Sequence, residues 1–263
     1  MSKVYIVAAK RTATGSMMGS LKNLSASDFG AEVVKKIIAD TKIDPKNLDE
    51  VIVGNILPAG VGQGVGRQVA IKAGIPQEVP GYAISMACGS GMKALMTAFT
   101  SIQAGLQNLV IAGGTESMTR APHLISSDIR QGIKMGNMNV IDHMIYDALT
   151  DAYTGVHMGI TAENIAKQFN ITREEQDQFA YQSQVKAIKA VDAGEFDAEI
   201  VPIKIKDKKA EFDFARDEYP NRTTNLEKLG GLRPAFVKDG TVTAGNASGI
   251  NDGASFVLLA SEE

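Results

Sequence analysis

The chain has 263 residues, of which 44% are hydrophobic and 22% are charged, a composition typical of a folded globular protein and not of a disordered one. Its formal net charge of −3 at pH 7 gives no overall positive field for binding nucleic acid or an anionic membrane surface. No apolar run approaches the ~20 residues of a membrane-spanning helix, and the N-terminal stretch does not resemble a signal peptide, so we expect a cytoplasmic protein.

In the first part of the chain, strand patterns alternate with helix patterns. Residues 4–9 predict a strand, and apolar residues three to four positions apart predict a helix that begins at Ser25 or Ser27 as the candidate cap. The alternation continues with a strand at 51–53, a helix at 67–73 and a strand that ends at Met86. Such an alternation predicts an α/β fold in which helices are layered against a sheet.

The middle of the chain has a different character. After Arg120 the sequence is rich in Met, Gly, Asn and Ser up to about Val140, which predicts a long loop-rich excursion. Helices are then predicted at residues 161–169 and from Thr172 to Gly194, the second one opened by a capping box.

Strand patterns return at residues 199–205, 241–244 and 254–259, and we expect the last two to rejoin the first sheet. The sequence therefore predicts a core domain made of residues 1–119 and 241–263, with residues 120–240 inserted as a loop domain. Four lysines near the first of these strands predict a solvated face: Lys204, Lys206, Lys208 and Lys209.

Several kinds of site are not indicated. The glycines at 60, 62, 64 and 66 have the spacing of neither the dinucleotide-binding fingerprint nor the lysine-containing phosphate loop. One cysteine and three scattered histidines offer no metal-ligand spacing, so we predict no metal. A protease-like pairing of the cysteine with His157 is weakly supported, because an isolated histidine is more often a packing or capping residue than a base.

The only cysteine, Cys88, lies where the strand that ends at Met86 meets a predicted helix. Gly-Ser-Gly follows it, and a helical spacing is then kept by the apolar residues Met92, Leu95 or Met96, Phe99, Ile102 and Leu106. Glycine permits a sharp turn, and the first N–H groups of a helix favour negative charge. A lone cysteine is more often a small buried apolar residue, but this setting favours a thiolate that attacks a thioester or another acyl carbonyl.

Four motifs follow one another along the chain. They are Cys-Gly-Ser-Gly at 88–91, Gly-Gly-Thr-Glu-Ser-Met at 113–118, His-Met-Gly with Thr-Ala-Glu-Asn at 157–164, and Gly-Asn-Ala-Ser-Gly-Ile-Asn-Asp-Gly-Ala at 245–254. With these motifs, nearly the whole chain resembles a thiolase, and the long segment between the second and third motifs is similar to that of biosynthetic thiolases. The resemblance implies a layered α/β/α core with a mixed sheet. It also implies the condensation of two acetyl-CoA to acetoacetyl-CoA and coenzyme A, or the reverse thiolysis, which is the reaction of an acetyl-CoA C-acetyltransferase.

The resemblance also implies roles for single residues. Cys88 matches the cysteine that one acyl-CoA acylates before a second acyl-CoA attacks as its enolate. His157 and Met158 match positions that contact the pantetheine arm of coenzyme A. Thiolases usually have an arginine near the phosphates of the coenzyme, and Arg222 is displaced by one position from the place of that arginine. The full set of implied coenzyme A contacts is Leu149, His157, Met158, Arg222, Ala244 and Ser248.

Three further thiolase motifs do not occur in the sequence: Asn-Glu-Ala-Phe, Gly-His-Pro and Cys-x-Gly. In the family they carry the histidine that activates the nucleophile and the cysteine that moves a proton of the second substrate. We therefore expect an N-terminal fragment that is inactive in turnover by itself. Two alternatives stay open, a non-catalytic module that binds coenzyme A or assembles with itself, and a condensing enzyme similar to ketoacyl synthases.

The expected partners also follow from the resemblance. Acyl-CoA is the implied substrate, and no permanently bound cofactor is implied. We expect a homo-oligomer, a dimer or tetramer, because half of a two-half enzyme exposes an apolar face and large exposed apolar patches favour burial.

Overall fold

The computed structural model describes residues 3–207 and 210–263, so Lys208 and Lys209 of the predicted lysine face lie outside the described residues. The chain forms two compact units. The first comprises the described residues up to Pro122 together with Asp197–Asp217 and Asn251–Glu263, and the second comprises His123–Phe196 and Glu218–Ile250. The division predicted from the sequence, a core domain with residues 120–240 inserted as a loop domain, stays a prediction.

The helices and strands of the described residues are numbered in chain order. The helices are α1 (Ala26–Thr41), α2 (Val65–Lys72), α3 (Ser90–Gln103), α4 (Met158–Phe169), α5 (Arg173–Asp192) and α6 (Leu226–Gly230). The strands are β1 (Val4–Thr12), β2 (Gly15–Ser16), β3 (Glu50–Gly54), β4 (Gly81–Ile84), β5 (Leu109–Ser117), β6 (His123–Ile125), β7 (Val140–Asp142), β8 (Ile200–Val201), β9 (Ile203–Asp207), β10 (Ala210–Phe214) and β11 (Asn251–Ser261). None of the helices in the described part of the chain is long and apolar enough to cross a membrane.

The first unit is built on a mixed sheet with the spatial order β4-β3-β5-β11-β1-β8, and β2 pairs with β11. Strands β3, β4 and β5 run parallel to one another, whereas β11 is antiparallel to both β5 and β1. The predicted strand at 199–205 is divided into β8 and β9 at Pro202, because proline has no N–H group to donate within a sheet.

Helices cover both faces of this sheet. On one face, Phe29 of α1 packs in a buried cluster that also contains residues of α2. On the other face, Ala98 and Ile102 of α3 belong to a second cluster. Neighbouring residues of β3 divide between the two clusters, Val51 with α1 and Ile52 with α3, as alternating side chains of a strand require. The layered α/β/α core with a mixed sheet is thereby confirmed.

The helices begin where the sequence carries capping residues. Ser25 accepts a hydrogen bond from the Asp28 N–H group, and the Asp28 carboxylate accepts one from the Ser25 N–H group. Thr172 and Glu175 form the same reciprocal pair at the start of α5. Both predicted caps are confirmed.

Helix α3 exposes its two methionines and its phenylalanine and buries its alanines together with Ile102. Its small residues Ala94 and Ala98 are fully buried, whereas Met92, Met96 and Phe99 are 65%, 51% and 43% exposed. The two alanines let the first turns of the helix approach the sheet closely, and the two methionines and the phenylalanine point away from it. We call Met92, Met96 and Phe99, which lie four and three positions apart on one helical stripe, the α3 face.

The second unit contains α4, α5, α6 and the paired strands β6 and β7, which lie within the region predicted as a loop-rich excursion. The prediction of a strand at 241–244 is wrong. Only an isolated bridge between Thr243 and Pro234 forms in these described residues. The Glu163 carboxylate accepts from the N–H groups of Thr241 and Val242, so these groups do not enter a sheet ladder. The strand predicted at 254–259 is confirmed as part of β11.

A charged cluster joins the segment 197–217 to the start of the first unit's sheet. The two terminal nitrogens of Arg11 contact the two carboxylate oxygens of Asp217 at 2.7 and 3.1 Å, and its Nε donates to Glu199 at 2.7 Å. Asp217 also accepts from the Thr14 N–H group at 2.6 Å. Partial burial alone raises the pKa of Asp217, but the hydrogen bonds from Arg11 and Thr14 outweigh it and hold this pKa below its ordinary value of 3.8.

The substitution Asp217→Asn tests this cluster. A carboxylate with a lowered folded-state pKa stabilises the fold above its unfolded pKa, and this contribution is lost as the pH falls through the folded-state pKa. At neutral pH we expect the variant to lose about 1–3 kcal/mol in free energy of unfolding, since buried donors lose a charged acceptor. The difference from wild type should shrink below about pH 4. Urea unfolding of both proteins at neutral pH and below about pH 4 measures this difference.

Asp213→Asn is the matched control, because Asp213 is exposed and lies 3.7 Å from Lys204 in a weak surface pair. We expect it to cost less than about 1 kcal/mol. A loss at Asp217→Asn that is as large in acid as at neutral pH would contradict the account.

Candidate active site

Cys88 is exposed in the tight turn between β4 and α3. The buried Ser90 closes this turn, because its Oγ accepts from the Met86 N–H group at 2.8 Å and donates to the Ala87 carbonyl at 2.6 Å. Ala87 has a φ of 45°, in the left-handed region that is strained for a residue with a Cβ atom. Ser90 therefore holds a strained turn in which the thiol is accessible.

Helix α3 begins directly against the ends of β3 and β5. A Cβ atom on Gly54 would lie 2.4 Å from the backbone nitrogen of Gly91, and one on Gly114 would lie 3.3 Å from the Gly91 Cα. Only glycine at position 54 fits this approach without displacing backbone. Because β3, β4 and β5 are parallel, Cys88 lies at the edge formed by their carboxyl ends, where open α/β sheets bind ligands.

Glu116, inside the motif at 113–118, fastens the loop that follows β3. Its carboxylate accepts from the Asn55 side chain and from the Ile56 N–H group, both at 2.8 Å. The Asn55 N–H group in turn donates to the Ile84 carbonyl at the end of β4 at 3.1 Å. The ends of three strands are thus tied together where the Cys88 turn begins. The role of Asn55 was not predicted from the sequence, although a polar residue directly after a buried strand is a signal for it.

His157 is the N-cap of α4. Its Nδ1 accepts from the Gly159 N–H group at 3.0 Å, and its ring stacks on Phe236 with centroids 4.9 Å apart. A neutral ring whose Nδ1 is an acceptor carries its proton on Nε2, so His157 presents a hydrogen-bond donor there. The structure gives His157 the capping role that is common for isolated histidines.

Leu149 and Met158 are brought together in the second unit. The Met158 N–H group donates to the Leu149 carbonyl at 2.8 Å, and the neighbouring residues Thr150 and His157 form an isolated bridge. Leu149 is half-buried and Met158 is exposed. The two side chains offer apolar surface close to the start of α4.

Ala244 and Ser248 are exposed on one compact turn. The buried Thr243 donates its N–H group to the Asn246 side chain at 2.7 Å, and its own Oγ1 accepts from the Gly245 N–H group at 3.2 Å. A Cβ atom on Gly245 would lie 2.5 Å from leucine side chains beneath it. The turn is therefore packed on one side and presents two small residues on the other.

Arg222 is exposed and already paired. Its two terminal nitrogens contact the Asp192 carboxylate at 2.8 and 2.6 Å. A phosphate group would have to share Arg222 with this carboxylate or displace it. The structure therefore supports a phosphate contact of Arg222 less than its sequence position does.

The remaining histidines differ in their surroundings. His143 is buried and contacts Asp147, whereas His123 is exposed on β6. Within the described residues no group of three or more His, Cys, Asp or Glu side chains is arranged to hold a metal ion.

Comparison with known proteins gives consistent matches. The family model described as "Thiolase, N-terminal domain" matches residues 4–263. The chain is 48% identical over 264 residues to a probable acetyl-CoA acyltransferase of Staphylococcus aureus (strain COL), and 48% identical over 262 residues to the acetyl-CoA acetyltransferase of Escherichia coli (strain K12). These alignments cover 100% of this chain and 67% and 66% of those proteins.

Among solved structures, the chain is similar to the crystal structure of the Bacillus anthracis acetyl-CoA acetyltransferase. The TM-score is 0.96 at 41% identity, and the match covers 100% of this chain and 66% of that one. The chain therefore spans about two thirds of the length of the relatives that it matches.

The contact between α3 and the sheet can be tested with two glycine substitutions. Gly54→Ala forces a Cβ atom into the backbone at the start of α3, so we expect it to lower the free energy of unfolding by about 1–3 kcal/mol and to change the alkylation rate of Cys88 by iodoacetamide. Gly91→Ala is the matched control, because its nearest contact would be an ordinary one at 3.8 Å. Equal effects of the two substitutions on stability and alkylation would contradict the proposed contact.

Proposed function

This chain belongs to the thiolase family, as its motifs predicted, and from this we propose that it takes part in acyl transfer from acyl-CoA with Cys88 as the residue that becomes acylated. One local observation carries the proposal. The exposed thiol of Cys88 stands at the start of α3, at the carboxyl edge of three parallel strands. That setting combines access for a substrate with the N–H groups of a helix start.

In the proposed step the Sγ atom of Cys88 attacks the carbonyl carbon of acyl-CoA. A bond forms between Sγ and this carbon, the bond between the carbon and the coenzyme sulfur breaks, and the thiol proton ends on the released coenzyme A. Negative charge develops on the carbonyl oxygen, and N–H groups fixed at a helix start can stabilise it. With acetyl-CoA as donor and acceptor the overall reaction is that of an acetyl-CoA C-acetyltransferase, in either direction.

The proposed coenzyme A contacts lie in the second unit. We assign the Nε2–H donor of His157 to an amide carbonyl of the pantetheine arm. The apolar surface of Met158 is assigned to the carbon atoms of this arm, and that of Leu149 to the adenine side of the coenzyme. Ala244 and Ser248 are small and exposed, which permits the close approach of an extended arm. The contact of Arg222 with the phosphates stays a prediction, and so does a cytoplasmic location.

We also propose that this chain alone performs the first step without completing turnover. The second step removes a proton from the α-carbon of a thioester, which needs a positioned base. His143 is buried against Asp147 and His157 caps α4, so neither is placed as a ready base. The sequence has no second cysteine that could act as this base.

Two assays test this proposal. Release of coenzyme A from acetyl-CoA reports the first step, and thiolysis of acetoacetyl-CoA reports turnover. Wild-type chain should release up to one equivalent, and Cys88→Ala should release none above background. Thiolysis of acetoacetyl-CoA, followed by the fall in enolate absorbance, should be at least roughly 10²-fold slower than that of a full-length relative, since acid–base groups contribute ~10²–10⁴-fold. Release by Cys88→Ala equal to wild type would remove Cys88 from the proposal, and full turnover would show that a base lies within this chain.

A second function, a module that assembles with itself, is favoured by the exposed α3 face. Its three large apolar side chains lie on one stripe of α3 and are all more than two-fifths exposed. Contiguous apolar surface of this kind marks interaction sites in folded proteins. Self-assembly is compatible with acyl transfer, so the two functions need separate tests.

Light scattering over a range of concentrations measures this assembly. We expect a dimer or larger species for wild type, and a shift of at least about tenfold in the concentration of half-dissociation for Met96→Glu combined with Phe99→Glu, because two charges would enter an apolar contact. Phe179→Glu is the control, since Phe179 is 77% exposed on α5 and lies outside the α3 face. A wild-type monomer at every concentration would exclude this function.

A further inference from the structure

Glu163 of α4 binds the residues that lead into the turn carrying Ala244 and Ser248. Its Oε1 accepts from the N–H groups of Thr241 at 2.9 Å and Val242 at 2.8 Å. Its Oε2 accepts from the N–H group and the hydroxyl of Thr241 at 3.0 and 2.9 Å. One carboxylate therefore receives three donors from two successive residues.

The surrounding residues are shaped to admit this carboxylate. A Cβ atom on Gly240 would lie 2.3 Å from the Glu163 Oε1, so a side chain at position 240 would displace it. Burial alone raises the pKa of Glu163, but the N–H groups of Val242 and Thr241 outweigh it and place this pKa below its ordinary value of 4.5. Glu163 is thus an ionised, acceptor-only group at neutral pH, which matches the donors around it.

The turn is also fixed at its far side. The Asn246 side chain accepts from the Thr243 N–H group at 2.7 Å and donates to the Thr241 carbonyl at 3.0 Å and to Asp177 at 2.9 Å. Asp177 is buried and paired with Arg173 at 2.8 Å. Because Asn246 spans the turn from Thr241 to Thr243, a displacement at Thr241 moves the turn as a whole.

Helix α4 carries the other proposed coenzyme A residues at its start, where His157 is the cap and Met158 the first helical residue. We propose that Glu163 is a positioning residue for coenzyme A. The carboxylate of Glu163 fixes to α4 the turn that carries Ala244 and Ser248. The turn and the start of α4 then keep the spacing that one extended ligand needs to contact both. This inference rests on the proposed function, since it concerns the same coenzyme.

The test compares Glu163→Gln with Glu174→Gln, a control in the exposed first turn of α5. Glutamine keeps the length of the side chain but turns an NH₂ group towards N–H donors. We expect the Kd for coenzyme A, measured by calorimetry, to rise roughly tenfold or more in Glu163→Gln and to stay unchanged in Glu174→Gln.

A second readout separates positioning from loss of structure. Acetyl transfer to Cys88 is measured by mass spectrometry with acetyl-CoA and with S-ethyl thioacetate, which lacks the coenzyme arm. Glu163→Gln should slow transfer from acetyl-CoA and leave transfer from S-ethyl thioacetate unchanged. Equal loss with both donors, or an unchanged Kd for coenzyme A, would overturn the positioning role.

Failure of the proposed function is distinguishable, because acetyl-CoA would then leave Cys88 of the wild-type chain unacetylated, whatever the result for Glu163→Gln. Should Glu163→Gln fail to fold, amide exchange in wild type decides: the N–H groups of Thr241 and Val242 should exchange at least about tenfold more slowly once coenzyme A is bound. Rapid exchange of both groups with and without coenzyme A would overturn the inference.

Discussion

The start of α3 can lie directly against the sheet because Gly54 and Gly114 have no side chains at the point where they face Gly91. That contact determines which side of the first turns of α3 is buried, since Ala94 and Ala98 face the sheet there, whereas the two methionines and the phenylalanine of the helix point away. It also determines where the turn before the helix lies. Cys88 is therefore presented at the carboxyl edge of the parallel strands by backbone packing, and the strained backbone of Ala87 is held in place by Ser90.

Carboxylates perform a comparable task in the loops. Glu116 accepts from the residues that follow β3, and Glu163 accepts from those that precede the turn at Ala244. Each carboxylate satisfies backbone N–H groups that no sheet ladder takes up, which lets an irregular segment keep one conformation. The acidic residues inside two of the four motifs thus order the backbone, whereas exposed residues of the same two segments, Met158, Ala244 and Ser248, are small or apolar.

The layered core, the cap at Ser25, the capping box at Thr172 and the position of Cys88 could be predicted from the sequence because each depends on local patterns. The buried side of α3 could not, since spacing alone does not distinguish a stripe of methionine and phenylalanine from one of alanine that lies against glycine. The strand expected at 241–244 failed for a related reason. Its apolar and β-branched residues fit a strand, but the partner of its N–H groups is Glu163, almost eighty positions earlier in the chain.

We propose that this backbone packing makes Cys88 an acyl acceptor. The most direct measurement is a crystal structure of the chain after reaction with acetyl-CoA. The account predicts an acetyl group on the Cys88 Sγ, with its carbonyl oxygen about 3 Å from a backbone N–H group at the start of α3. An unmodified Cys88 beside acetylated lysines, or an acetyl group whose carbonyl oxygen points away from α3 into solvent, would contradict it.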